Sequence, residues 1–266
     1  MKLTMIFLGA CLSVLTLTGH TQQLLSTSTE LPTEDIFALH MQVDRDVVIS
    51  EIAEQQQRID DFVLNIKSEF DREDREDMLE ELFYTGHKKF LKHYRLFTTF
   101  NDLLSKGRYD CLTGTIFYAY ALNQLDFSFE IVETPHHIYI LVEDGEYLLE
   151  STDPLNGFVA GKEAVMDMLE NDRPAEGDSE EVSFYETVGL QYYNAAVYSM
   201  NNGKLLDAVD HVENATFFYQ GERMIQLGLI LSRAISESEM DADTKFSSLL
   251  KLTRTIQSRV QVVGLN

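Results

Sequence analysis

Apolar positions repeat with a helical period in the first part of the chain, with a strand period in the middle, and with a helical period again to the end. Ile49, Ile52, Ile59, Phe62, Val63 and Ile66 recur at spacings of three, four and seven, which is one face of an amphipathic helix. Met78, Leu79, Leu82, Phe83, Phe90 and Leu91 continue that logic in a second helix, and Tyr94, Phe97, Phe100 and Leu104 form a third element leading to Gly107. The charged run Asp71-Arg72-Glu73-Asp74-Arg75-Glu76-Asp77 reads as the solvated start of the second helix. From Leu112 to Leu125 the residues are apolar almost throughout, with no proline and one early glycine, so a buried helix is expected, with Phe117, Tyr118 and Tyr120 in the core. Phe127 to Thr134 then reads as a strand ended by Pro135, and His136 to Glu143 as a second strand. Asp144-Gly145 is a two-residue hairpin turn, because glycine tolerates the positive φ of a type I′ turn, and Glu146 to Ser151 returns.

The polar, turn-prone stretch Asn171-Asp172-Arg173-Pro174-Ala175-Glu176-Gly177-Asp178 marks a linker, placed at 171–183. After it come helices over Tyr185–Met200 and Lys204–Phe218, with two more near 222–237 and 242–259. Small residues at Ala196, Ala208 and Ala215 fall where tetratricopeptide-like helix pairs pack closely, and a plain helical cap is the alternative. The expected class is therefore α+β: a helical lead-in and a core with a small antiparallel sheet over 35–170, then an all-helical region over 184–266.

Composition narrows the setting. Of 266 residues, 44% are hydrophobic, enough for a real core. Lys and Arg total 21 against 44 acidic residues, a formal charge of −23 that repels phosphate backbones and anionic lipid, so nucleic acid is not an expected partner. The plain reading of that acidity is solubility. Lys2 followed by the apolar run Met5 to Leu17 and then Thr18-Gly19-His20-Thr21 reads as a secretory signal over 1–21, which implies a periplasmic or secreted protein. The run is shorter than the roughly 20 residues of a membrane span. Leu8-Gly9-Ala10-Cys11 resembles a lipoprotein box, so a lipid anchor at Cys11 is the alternative to ordinary cleavage.

Cleavage leaves one cysteine, Cys111, which has no internal disulfide partner and is either a buried inert thiol or a used one. It follows Gly107-Arg108-Tyr109-Asp110 and opens the buried helix, where unpaired N–H groups favour a thiolate. With Asp144-Gly145 as the loop, paired positions sum to 289, so Tyr139 faces Glu150 and His137 faces Thr152. These four share a face, while His136 and Asp153 project to the other side, and a one-residue slip would exchange the two sets. His137 and Glu150 then lie within side-chain reach. A thiol, an imidazole and a carboxylate are the parts of a nucleophile, its base and an orienting acid. Each also has an ordinary reading: a small core residue, a satisfied strand histidine, a solvated strand end. The spacings of His20, His40, His87, His93, His136, His137 and His211 mark no metal site, and no Gly-rich phosphate loop appears, so no cofactor is implied.

Gly-x-Tyr-Asp-Cys, a helix, a strand, a histidine opening a strand, an Asp-Gly hairpin and an acidic residue ending the return strand resemble the transglutaminase-like superfamily. Tyr109-Asp110-Cys111-Leu112-Thr113-Gly114-Thr115 and Leu149-Glu150-Ser151-Thr152-Asp153-Pro154 look like its bacterial exported branch with tetratricopeptide-like C-terminal helices. The resemblance covers 90–160, and 185–260 more weakly. It implies a papain-like core in which Cys111 is the nucleophile, His137 the base and Glu150 the acid, acting on an amide bond of a peptide or protein. Glu150 stands where Asp is commoner. The chain has no Trp, a residue many active relatives place near the oxyanion site, and Tyr94 or Tyr109 is the substitute on offer. Because the superfamily also holds silent binding modules, a protein partner docked on the C-terminal helices, along a groove at Tyr192 and Tyr193, is the second expectation.

Overall fold

A computed structural model describes residues 31–71, 73–172 and 179–263. The expected signal at 1–21 and Cys11 lie outside the described residues, as does most of the predicted linker, 173–178. The described residues from Thr33 onward form one unit of mixed helix and sheet. Helix α1 spans Thr33–Met41, α2 Ile49–Glu69 and α3 Arg75–Lys89; β1 is His93–Tyr94, α4 Phe100–Lys106 and β2 Arg108–Tyr109. Helix α5, Cys111–Gln124, precedes strands β3 Phe129–Glu133, β4 Ile138–Val142, β5 Tyr147–Leu149 and β6 Phe158–Ala160. Then come α6 Lys162–Asp172, β7 Glu180–Val182, α7 Glu186–Asn201, α8 Leu205–Phe218, α9 Glu222–Glu237 and α10 Ala242–Val263.

Helix α5 is the centre of the molecule. Every residue from Leu112 to Leu122 is buried, so its apolar side chains face protein on all sides rather than along one stripe. Phe83 stacks on Tyr118 with centroids 5.4 Å apart, Phe90 lies 4.9 Å from Phe117, and Phe37 lies 4.8 Å from Tyr120. The buried Tyr118 hydroxyl donates to the Phe83 carbonyl at 2.9 Å and the Tyr120 hydroxyl to Asp60 at 2.8 Å, so both buried phenols are satisfied. The antiparallel sheet lies beside α5 in the order β6-β5-β4-β3-β7. In it Ile140 pairs with Leu149, Leu141 with Leu148 and Val142 with Tyr147, each sum being the 289 that hairpin arithmetic predicts. Asp144 and Gly145 both adopt positive φ, 53° and 76°, as a type I′ turn requires.

Several expectations change. In α2 the residues from Ile52 to Ile66 do face the core, but Ile49 is 84% exposed because it opens the helix beyond the edge of the packed layer. The run Asp71 to Asp77 is not all solvated: Arg75 pairs with Glu143 and lies 3.8 Å over the Phe127 ring, which anchors the start of α3 to the sheet. Tyr94 and Phe97 do not belong to a helix. Tyr94 lies in β1, paired in parallel with β2, and Phe97 has φ 58° at the turn into α4. In the stretch 171–183, Glu180–Val182 form β7, which adds to the sheet by pairing Val182 with Ile131. Strand β6 and helix α6 had no sequence signal strong enough to assign. Ala196, Ala208 and Ala215 are fully buried where the C-terminal helices cross. Tyr192 and Tyr193 are both half-buried, Tyr192 stacked on Phe218 at 5.9 Å and Tyr193 beneath Arg223.

The described C-terminal helices are fastened to the rest by buried polar contacts. His40 of α1 is fully buried; its Nδ1 meets the Gln191 amide at 2.6 Å and its Nε2 the Thr187 hydroxyl at 3.3 Å. Gln191 Oε1 in turn accepts from the Phe100 N–H at 2.9 Å, satisfying a backbone donor at the start of α4. Among the described residues no helix is long and apolar enough to cross a membrane.

Candidate active site

Cys111 is the first residue of α5, and the chain is built to hold that helix start. Asp110 is the N-cap: its carboxylate accepts the Thr113 N–H at 2.9 Å, while the Thr113 hydroxyl accepts the Asp110 N–H at 2.9 Å. This reciprocal pair is a capping box with Thr in the usual Glu position. Asp110 also accepts from the Thr98 N–H at 3.2 Å, which draws in the turn before α4. Burial raises the Asp110 pKa despite these hydrogen bonds. The pattern Asp-x-x-Thr ahead of an apolar run is the local sequence signal for this cap.

The carbonyl side of Cys111 is fixed as well. The buried Ser151 hydroxyl donates to the Cys111 carbonyl at 3.2 Å. A Cβ on Gly114 would stand 2.5 Å from Ser151 Oγ, so glycine is what lets α5 lie this close to the chain leaving β5. Thr115 adds a 3.4 Å contact from α5 to the Ile138 carbonyl at the start of β4.

His137 and Glu150 come from the hairpin. His137 follows the turn Pro135-His136, which closes with the Thr134 N–H on the His137 carbonyl at 2.8 Å and the His137 N–H on Thr134 Oγ1 at 3.0 Å. Its Nε2 is hydrogen-bonded to Glu150 Oε2, and the Cys111 side chain lies close enough to bear on the charge of the ring. Glu150 is buried, and its other oxygen accepts from the Thr152 N–H at 2.8 Å and the Thr152 hydroxyl at 2.6 Å, so its orientation is settled from both sides. Gly157 shapes the same turn: a Cβ there would stand 2.1 Å from the Glu150 carbonyl oxygen. Burial opposes a charge on His137, but the hydrogen bonds and charges of Cys111 and Glu150 outweigh it and raise its pKa to about 10.

His136 is exposed at the corner of the turn, and Asp153 turns away to accept from the Leu155 and Asn156 N–H groups, both at 3.0 Å. Both residues lie in turns outside the paired strands, which end at Ile138 and Leu149. Tyr94 and Tyr109 pack edge to face at 5.7 Å beside the thiol; Tyr109 is buried, whereas Tyr94 is half-exposed. Desolvation first, and the charge of Cys111 second, raise the Tyr94 pKa. Behind them His87 is buried against Phe83 and Tyr109, and burial lowers its pKa to about 4 against the opposing pull of the Leu91 backbone, Asp153 and Glu150. Sequence reading gave His87 no place, since nothing local marks it.

Among the described residues no group of three or more His, Cys, Asp or Glu is placed to hold a metal ion. No protein-family model, curated protein or solved structure matches the chain.

Proposed function

We propose that this protein is an exported thiol enzyme that cleaves or transfers an amide bond of a peptide or protein, with Cys111 as nucleophile, His137 as base and acid, and Glu150 as the group that orients the ring. One observation supports the reading: His137 Nε2 is hydrogen-bonded to Glu150 Oε2, with the Cys111 side chain close enough to bear on the charge of the same ring. In the proposed reaction the Cys111 sulfur attacks the carbonyl carbon, and the C–N bond breaks as the imidazolium gives its proton to the leaving amine. Water, deprotonated by His137, then attacks the thioester, releasing the acid and restoring the thiolate; an amine in its place gives transfer. At the helix start the Cys111 N–H is one oxyanion donor, and the half-exposed Tyr94 hydroxyl is a side-chain candidate for a second. The transglutaminase-like resemblance supports the same assignment of roles.

The test is the rate of Cys111 alkylation by iodoacetamide against pH. A fast reaction that persists below the free-thiol pKa of roughly 8.5, and slows in His137→Ala, is expected. A thiol that titrates like a free cysteine and ignores His137 would remove the proposal.

A second reading is a silent core that binds a protein through its C-terminal helices. It is favoured by exposed apolar side chains on the outer helices, Leu229 and Ile230 of α9 and Phe246 of α10. Partner capture that depends on residues 185–260 and is indifferent to Cys111 would support it.

A further inference from the structure

The turn that presents His137 is gripped from outside the sheet by α9. Arg223 donates from Nη2 to the carbonyls of Thr134 and Pro135, both at 3.3 Å, and its Nη1 pairs with Glu133. These are the three residues immediately before His136. Glu133 is buried at the end of β3, and its second oxygen accepts from the Tyr219 hydroxyl at 2.8 Å; the same hydroxyl meets Glu180 on β7. Arg223 itself is only partly exposed and lies 5.4 Å over the Tyr193 ring. One guanidinium therefore holds an acid on the strand and two carbonyls of the turn, a planar fork geometry that lysine lacks. Thr134 transmits the grip: its hydroxyl accepts the His137 N–H at 3.0 Å and donates to the His137 carbonyl at 3.1 Å.

We infer that Arg223 is a positioning residue for the candidate base, so that the C-terminal helices set the placement of His137 against Cys111 rather than merely capping the core. The inference rests on the proposed Cys111–His137 pairing. The charged groups bearing on the imidazole are Cys111 and Glu150, and those bearing on the clamp are Arg223, Glu133 and, through Tyr219, Glu180. A merely structural arginine would affect melting temperature and leave the thiol's pH profile alone.

Two variants separate these roles. Arg223→Lys keeps a cation for Glu133 but loses the fork over the turn. The double variant Arg223→Met with Glu133→Gln removes the clamp without leaving a buried unpaired carboxylate, whose desolvation would otherwise dominate. Both are read by the pH profile of iodoacetamide alkylation at Cys111, with far-UV circular dichroism as the control for folding. The expected result is a folded protein whose alkylation rate at pH 6 falls about fivefold or more in each variant, since each unit of upward shift in thiol pKa removes about tenfold of thiolate below that pKa. Unchanged profiles in both variants, with His137→Ala still slowing the reaction, would overturn the inference and leave the proposed function standing. Loss of fold in both would also overturn it, because Arg223 would then hold the fold and not the base. A profile insensitive to His137 in the unaltered protein would bring down both.

Discussion

The same side chain is driven in opposite directions in two parts of this molecule. In the seam between α1 and α7, His40 is fully buried among neutral partners, Gln191 and Thr187, and burial pulls its pKa down to about 3. At the start of α5, His137 is only partly buried, and the nearby thiol and carboxylate raise its pKa to about 10. Burial disfavours the imidazolium in both places; what differs is whether an anion compensates. The seam surrounds its histidine with neutral hydrogen-bonding groups, and the start of α5 surrounds its own with groups that favour the charged form. A buried histidine is thus no guide to function until its partners are known, and here the partners are what single out His137.

That contrast is most directly broken at the thiol. Replacing Cys111 with Ala should abolish amide cleavage while circular dichroism stays native, because Cys111 is only partly buried and Ala suits a helix start; equal turnover by this variant would exclude the thioester route. Glu150→Gln should come next, with alkylation near neutral pH slowed about tenfold, as the amide keeps the Thr152 contacts and loses the charge that supports the imidazolium. A Glu150→Gln profile superimposable on the unaltered one would make that carboxylate a spectator.

Stability tests sharpen the comparison further. A Gly114→Ala substitution should cost about 1–3 kcal/mol in urea unfolding, since the new methyl meets Ser151 inside a packed layer; a neutral result would mean that α5 shifts freely against β5. For His40 the folded pKa lies below the unfolded 6.5, so acidification loads the unfolded chain first. Its contribution is complete above pH 6.5 and is lost as pH falls toward 3, at about 1.4 kcal/mol per pH unit. The unfolding free energy of His40→Gln should therefore fall less steeply than that of the unaltered protein between pH 6.5 and 4.5. His137 has the opposite sign: its raised pKa stabilises the fold fully below pH 6.5, and that contribution fades as pH rises toward 10. The smallest expected effect is a flatter alkaline limb in His137→Ala.

The parts of this contrast visible in the sequence are those set by local rules. Asp144-Gly145 fixes a two-residue turn, a two-residue turn fixes register, and register places His137 and Glu150 on one face; that chain of inference needed no distant contact. The helical face from Ile52 to Ile66 was legible for the same reason. Ile49 misled because periodicity says which face a residue is on, not where the packed layer stops. Strands β1 and β2 are two residues each, too short for any pattern, and only their pairing defines them. His40 with Gln191 and Glu133 with Arg223 are joined across long stretches of chain, and nothing near either residue announces its partner.

The tight hairpin has a consequence for chain length. Because side chains alternate, one residue added to β5 between the turn and Glu150 would swing that carboxylate to the opposite face, whereas two would return it to the original side one pleat further along. The candidate triad therefore depends on the parity of insertions and deletions in the stretch from Gly145 to Glu150. Natural or engineered length variants of this loop should divide into odd and even classes before any question of amino-acid identity arises.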